Sequence, residues 1–327
     1  MRARTRQLPA ALAAAAALAI ACAACASSAA SPPGSAASAG ASGGSAQTAG
    51  FPVTVSTAGG RTHIPARPGA IVSLSPTATE MLYAIGAGSQ VKAVDDDSDY
   101  PRQAPMTKLS GYSPNAEAIA AYRPDLVIIA NNIDGIEQKL LSLSIPVLYL
   151  PAAANVSAEY AQFAELGTAT GHAAQAAQEV ASLRSDIAKI VAAAPKHAKP
   201  LTYFYEIQAN PYYSVTSTTF IGSLLSLLGL KSIADSAKGA AAAGGYPSLS
   251  AEFILKANPD YIILADDGAT AGGQTAATVS RRPGWNVLTA VKDRHIILVN
   301  ADIASRWGPR IVDLLRGVEA GLAPGTQ

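Results

Sequence analysis

Two stretches of the chain repeat one pattern: a glutamate, an isoleucine two residues later, a Pro-Asp pair after four more residues, and an apolar run that ends in alanine. They span residues 117–130 and 252–265. A helix, a Pro-Asp turn and a buried strand give this pattern. Chance similarity of two ordinary helix–strand junctions is the alternative, but residues 77–86 and 219–229 form a second, weaker repeat. The repeats predict two related lobes, and a cleft between lobes is a common ligand site.

Short apolar segments alternate with helical patterns on both sides of a long strandless stretch. In residues 173–194 apolar residues recur at helical spacing, and Pro195 and Pro200 follow, which predicts one long amphipathic helix. Strands that alternate with helices indicate mostly parallel sheets. The predicted fold class is α/β, with two α/β lobes joined by one long α-helix. Besides a hairpin over residues 51–64, the predicted strands are residues 71–74, 91–94, 126–130, 147–150, 201–207, 261–265 and 296–299.

The N-terminus has the features of an export signal. Three arginines within the first six residues precede an apolar run over residues 8–21, which is too short to span a bilayer. Cys22 follows Leu-Ala-Ile-Ala, which resembles a bacterial lipobox and predicts a diacylglycerol on Cys22. The alternative is a plain signal peptide cleaved near Ala26, with Cys22 and Cys25 idle or bridged. Two acyl chains would give stable membrane anchoring.

The domain organisation follows from these segments. We expect a signal peptide over residues 1–21 and a lipidated, flexible tether over 22–50. An N-terminal α/β lobe over 51–170, the connecting helix over 171–197 and a C-terminal α/β lobe over 198–327 complete the chain. The tether has no charge and no large apolar residue, so it cannot bury enough surface to fold. With about 25 residues it reaches roughly 25–30 Å.

Charge and motif content exclude several classes of function. The chain has 24 basic and 23 acidic residues, so it offers no basic field for a nucleic acid. Its four histidines are scattered without metal-ligand spacing, and no nucleophile stands beside a base. The acidic run 95–99 lacks the later residues of a calcium loop and is interpreted as a solvated strand end. We therefore expect no enzyme activity, no cofactor and no bound metal.

Several segments together resemble one protein family, the periplasmic binding proteins for cobalamin, ferric siderophores and haem, in their long-helix-linked class. The cobalamin-binding members are the most similar, because the acidic run and the Tyr-Pro that follows it match their pattern. The resemblance runs from about Arg61 to the C-terminus. The segments that carry it are residues 71–80, 99–101, 114–117, 123–126, 210–213 and 308–310.

The resemblance implies a rigid bilobal body that docks to a permease dimer through one glutamate on each lobe. The matching positions are Glu117 and Glu252, which lie at equivalent places in the two repeats. From the residues alone, a glutamate in the first turn of a helix could simply complement the helix dipole, worth about 0.3–1 kcal/mol. Two carboxylates on a rigid body would instead fix both orientation and charge contact.

The resemblance also implies a cleft lined by aromatic side chains, suited to a macrocycle or an aromatic chelate. The tryptophans that cobalamin binders carry near positions 111 and 130 are missing here, so a different chelate is an open alternative. About half of the tyrosines would be packing residues in any fold. The predicted ligand-binding residues are Tyr100, Tyr112, Tyr213, Tyr246, Asp302 and Arg306.

These features predict an extracytoplasmic, lipid-anchored and monomeric solute-binding protein of an ABC importer. The expected cargo is a corrinoid or a ferric siderophore, and the expected partners are that small molecule, the permease dimer and the membrane. A haem-binding protein, or a sensor that signals to a membrane partner, is the alternative on the same fold.

Overall fold

A computed structural model of the chain describes residues 50–266 and 273–322. The predicted signal peptide, the tether up to residue 49 and Cys22 lie outside these residues. The described part begins with the predicted antiparallel hairpin, in which β1 (Val53–Thr57) pairs with β2 (Gly60–Ile64). Thr57 and Thr62 each donate a side-chain hydrogen bond to a carbonyl of the neighbouring lobe, at Tyr149 (2.7 Å) and Val147 (2.6 Å). The hairpin is thereby fixed to the edge of the first large sheet.

The first large sheet has five parallel strands in the order β5-β4-β3-β6-β7. Helices lie between its strands, as the alternation predicts, and we call this sheet with its helices the N-terminal lobe. The strands are β3 (Ile71–Leu74), β4 (Val91–Asp95), β5 (Met106–Leu109), β6 (Leu126–Ile129) and β7 (Val147–Tyr149). The helices are α1 (Pro76–Ala84), α2 (Ala116–Ala120) and α3 (Ile136–Ser142), with 3-10 turns at Gly88–Gln90 and Ile133–Gly135.

Two long helices follow the N-terminal lobe and pack on each other. The first, α4 (Val156–Thr170), ends at Gly171, which adopts the left-handed conformation with φ 76°. The second, α5 (Ala173–Ala193), is the predicted connecting helix, and it buries Leu183, Ile187 and Ile190 along one face. The apolar spacing in the sequence reflects this face.

The second large sheet has four parallel strands in the order β11-β8-β13-β14, and with its helices it forms the C-terminal lobe. Its strands are β8 (Leu201–Glu206), β11 (Leu230–Ser232), β13 (Tyr261–Leu264) and β14 (Ile296–Leu298). A small antiparallel sheet contains β9 (Gln208–Ala209), β10 (Tyr212–Tyr213) and β12 (Ser248–Leu249). The helices are α6 (Phe220–Ser226), α7 (Ala251–Ala257), α8 (Ala276–Ser280), α9 (Thr289–Lys292), α10 (Ala301–Ser305) and α11 (Ile311–Leu322), with 3-10 turns at Ile233–Ser236 and Trp285–Val287.

The sequence repeat corresponds to a repeated structure. In each copy a short helix, α2 or α7, leads through the Pro-Asp turn into a strand buried along its whole length, β6 or β13. Each aspartate then accepts a backbone N–H at or just before the start of the neighbouring strand: Asp125 from Gly69 at 2.8 Å, and Asp260 from Thr202 at 2.7 Å. The Pro-Asp turn therefore ties β6 to its neighbour β3 in the first large sheet and β13 to its neighbour β8 in the second.

The two lobes share a hydrophobic core. One continuous cluster of buried side chains contains Met81 of α1, Leu183 of α5, Ile263 of β13 and Leu315 of α11. Two smaller clusters cover the other faces of the two large sheets. None of the helices in residues 50–266 and 273–322 combines the length and the apolar character that crossing a bilayer requires.

Candidate functional site

The carboxyl ends of both parallel sheets lead into one cleft, the usual place for a ligand in parallel α/β folds. A cavity of about 300 Å³ opens at the ends of β3, β4 and β6, where Leu74, Asp95 and Ala130 line it. A second cavity of about 340 Å³ opens at the ends of β8 and β13, where Tyr205 and Ala265 line it. We call them the N-lobe cavity and the C-lobe cavity.

The segment Ser305–Trp307 after α10 lines both cavities, so they are two halves of one cleft. The indole N–H of Trp307 donates to Gln162 Oε1 on α4 at 2.8 Å. Gln162 in turn donates to the carbonyl of Pro151 at 2.6 Å. The segment that lines both cavities is thus hydrogen-bonded to α4 through Trp307.

The C-lobe cavity is mainly apolar. Its walls include Ile207, Val215, Phe220, Ile221 and the rings of Tyr205 and Tyr246. Arg306 supplies a charged side chain, and that guanidinium is occupied by carboxylates of the fold, as described below. The flat, apolar walls suit an aromatic or macrocyclic ligand face.

The N-lobe cavity is polar and acidic. Asp95, Asp97 and Asp302 line it, together with Tyr112 and Asn131. This distribution of charge favours ligand groups that donate hydrogen bonds or carry positive charge, and it disfavours carboxylates.

The interpretation of the acidic run as a solvated strand end agrees with the exposure of Asp96, Asp97 and Asp99; it is wrong for Asp95, a residue that is only 1% exposed. It turns inward at the end of β4 and accepts a hydrogen bond from Ser98, whose hydroxyl is 3.0 Å from that of Thr79. Burial raises the pKa of Asp95 to about 6; the Ser98 hydrogen bond and the charge of Arg306 oppose this shift, and Asp96 and Asp97 add to it. The group therefore titrates close to neutral pH.

A buried ionic cluster joins the lobes beneath the cleft. Glu80 of α1 is fully buried on its side chain and accepts from Arg306 at 3.1 Å and from Arg310 Nε at 2.8 Å. Arg306 also donates to Asp99 at 2.9 Å. A buried carboxylate without cationic partners is strongly destabilising, so Glu80 must keep Arg306 and Arg310 close. These ion pairs fix the segment that carries Trp307 against the N-terminal lobe.

The predicted ligand-binding residues divide between these places. Tyr112 and Asp302 line the N-lobe cavity, Tyr246 lines the C-lobe cavity, and Arg306 lines both. The other two predicted residues lie outside the lining of these two cavities, and both are partly exposed: Tyr100 at 43%, with the Arg310 guanidinium 4.1 Å from its ring centroid, and Tyr213 at 40%.

Glu117 and Glu252 are both exposed, each in the first turn of its helix. Their helices begin at equivalent caps, where Asn115 and Ser250 accept a backbone N–H three residues later. In each copy of the repeat the short Pro-Asp turn links the helix to the following strand, so the two glutamates occupy equivalent places in the two lobes.

Sequence reasoning did not identify Glu80, Asp95 or Tyr205 as parts of the site. Glu80 pairs with arginines more than 200 positions further along the chain, so no local sequence pattern indicates that it belongs to the site. Tyr205 lies within an apolar strand and has the pattern of a core residue. Asp95 directly follows the predicted strand over residues 91–94, and this position after the carboxyl end of a parallel strand is the one available signal.

Comparisons with known proteins agree with this architecture. A family model described as periplasmic binding protein matches residues 71–303. An uncharacterised ABC transporter substrate-binding lipoprotein of Bacillus subtilis is 30% identical over 290 residues, which are 86% of this chain and 88% of that protein. A vitamin B12-binding protein of Pectobacterium atrosepticum is 30% identical over 254 residues, 75% of this chain and 85% of that protein.

Among solved structures, a possible iron-binding (periplasmic solute-binding) protein of Staphylococcus epidermidis is similar with a TM-score of 0.67 and 28% sequence identity. The match covers 78% of this chain and 99% of that one. The predicted fold class, two α/β lobes with parallel sheets and one long helix between them, is confirmed.

Proposed function

Because the chain belongs to the periplasmic binding protein family, we propose that it is the solute-binding lipoprotein of an ABC importer and that its cargo is a corrinoid. Proteins of this family are non-enzymatic components of transport systems. The observation that carries the proposal is the cleft between two related lobes, with an apolar half and an acidic half. A ferric siderophore is the second candidate cargo, favoured by the solved structure named as a possible iron-binding protein.

The charges in the cleft support a corrinoid over haem. A corrinoid combines a flat macrocycle with neutral amide side chains, whose N–H groups can donate to Asp97 and to Asp302, whose side chain is 52% exposed although it lies 3.6 Å from Arg306. Haem carries two carboxylates that would need free cations. Arg306 and Arg310 are both paired with Glu80, so neither guanidinium is free to receive them. The vitamin B12-binding relative adds support from sequence.

A calorimetric titration of the purified mature protein with vitamin B12, haem and a panel of ferric siderophores tests the cargo. We expect one saturable site for vitamin B12 and no saturable binding of haem. The substitutions Tyr246→Ala and Asp302→Ala should weaken binding, and Tyr122→Ala, an exposed tyrosine outside both cavities, should leave it unchanged. If no ligand of the panel gave saturable binding, the proposed cargo would be refuted. Tight binding of haem would refute the argument from the charges of the cleft.

The exposed pair Glu117 and Glu252 supports docking to the permease. Both belong to the repeated unit, and both are exposed in the first turn of their helix. The shared core and the ionic cluster hold the lobes together, so the spacing of the two carboxylates is set by the fold. Such a pair can fix the orientation of the protein on a permease dimer as well as its affinity.

Anchoring through a lipid on Cys22 would keep this carrier at the outer face of the membrane. The relative from Bacillus subtilis is named a lipoprotein, which supports this part of the proposal. If Cys22 carries the lipid, Cys22→Ala should release the protein from the membrane fraction and abolish incorporation of labelled fatty acid. Cys25→Ala is the matched control and should change neither. Equal lipid incorporation in the Cys22 variant would contradict the assignment.

A further inference from the structure

Strand β8 presents two tyrosines on the same face of the C-terminal sheet. Tyr203 and Tyr205 belong to the core shared by the lobes, whereas Phe204 between them belongs to the cluster on the opposite face. Both rings are almost completely buried, at 0% and 2% exposure. Tyr205 lines the C-lobe cavity and Tyr203 does not.

The hydroxyl group of Tyr205 is buried and has no hydrogen-bond partner within the described residues. Native structures pair nearly all such groups, because burying a hydroxyl without a partner is unfavourable. The Tyr203 hydroxyl also lacks a bond of ordinary geometry, although the side chains of Ser217 and Ser232 lie close to it. No serine of this kind acts on the ionisation of Tyr205, which borders the C-lobe cavity instead.

Two phenol groups meet at this wall of the cavity. Tyr203 and, to a smaller extent, Tyr246 lie close enough to Tyr205 to affect its ionisation, and Tyr246 alone of these two lines the same cavity, where it remains 45% exposed. Burial raises the pKa of both hydroxyls above the usual value for tyrosine, so both stay protonated at physiological pH. A protonated phenol in an apolar wall can donate one well-directed hydrogen bond.

We propose that the Tyr205 hydroxyl is a ligand contact, which donates a hydrogen bond to a carbonyl-type oxygen on an otherwise apolar face of the cargo. The proposal rests on the cleft being the binding site, as the proposed function requires, and it adds a specificity-determining residue to that site. The surrounding walls of Val215, Phe220 and Ile221 offer such a face no competing polar contact. A cargo without an acceptor at this place would leave the hydroxyl unpaired and bind less tightly.

Titration of vitamin B12 into the full mature protein and its Tyr205→Phe and Tyr203→Phe variants tests the contact. Phenylalanine keeps the ring and removes only the hydroxyl. We expect Kd to rise roughly 5- to 20-fold for Tyr205→Phe, the effect of one lost neutral hydrogen bond, and less than about 2-fold for Tyr203→Phe. Similar melting temperatures for the two variants would show that packing is preserved. An unchanged Kd for Tyr205→Phe, or equal weakening by both variants, would overturn the proposal.

A second measurement does not depend on the identity of the cargo. Crystals of the protein soaked with cyclohexanone, an apolar ring with one carbonyl, should show the ketone in the C-lobe cavity with its oxygen in hydrogen-bond contact with Tyr205 Oη. A ketone oxygen directed away from Tyr205, or no ketone in that cavity, would contradict the proposal. If the wild-type protein bound no ligand of the panel, the cargo proposal would fail and the soaked crystal would still decide the role of Tyr205.

Discussion

Glu159 of α4 is a fully buried carboxyl group whose two oxygens have no hydrogen-bond partner within the described residues. Burial raises its pKa from 4.5 to about 9, so the side chain is neutral in the folded protein at pH 7. In the unfolded chain the same group loses its proton at its ordinary pKa. Between those two pH values folding takes up a proton, and the stability contributed by this residue falls as pH rises.

The substitution Glu159→Gln should therefore stabilise the protein in a pH-dependent way. Glutamine has the same shape and does not titrate, so the variant and the wild type should differ least near pH 4. The advantage of the variant should grow through neutral pH and level off near pH 9, reaching about 3–5 kcal/mol at pH 8. Urea unfolding at a series of pH values measures this difference.

Glu165→Gln on the same helix is the matched control, because that side chain is partly exposed and burial raises its pKa less than that of Glu159. Its stability should follow the wild type much more closely across the same pH series. Parallel curves for the wild type and Glu159→Gln would mean that the carboxyl group finds a partner or water in solution.

At the scale of elements, the central strands are predictable because helices and loops cover both faces of each sheet. Strands β3, β6 and β13 are buried at every position, which produces the continuous apolar runs seen in the sequence. The edge strands β5 and β11 were not predicted. Each is short and carries an exposed lysine, Lys108 or Lys231, so neither has an apolar run.

The part of the candidate site that could be predicted came from the family resemblance and not from the strand pattern. Of the residues predicted in this way, Tyr112, Tyr246 and Asp302 line the cleft, although β5 and β12 beside the two tyrosines were not predicted. The engagement of Arg306 by Glu80 and Asp99 depends on packing between distant parts of the chain. The Tyr205 hydroxyl lacks a partner among the described residues because of the shape of the C-lobe cavity around it. The spacing of apolar residues in the sequence carries no information about that shape.

For the whole molecule, the connection between the lobes is broader than one helix. The buried Glu80 receives both Arg306 and Arg310, and α11 packs back against α5. Removing one partner of a buried ion pair is strongly destabilising, so this cluster resists separation of the lobes. We therefore expect the protein to respond to cargo by small adjustments of the cleft, while its outer surface keeps a constant shape.

That constant shape leads to the docking prediction. If the protein docks through Glu117 and Glu252, reversing both charges to lysine should reduce uptake of vitamin B12 to background in vesicles that contain the cognate permease and ATPase, because a surface complementary to carboxylates repels or fails to bind lysines. The affinity of the carrier for vitamin B12 should stay within about 2-fold, since neither side chain lines the cleft cavities. The matched control reverses Asp293 and Asp313, two exposed carboxylates outside the repeat, and should transport normally. Uptake at the wild-type rate by the Glu117 and Glu252 variant would show that the carrier reaches its permease by another surface.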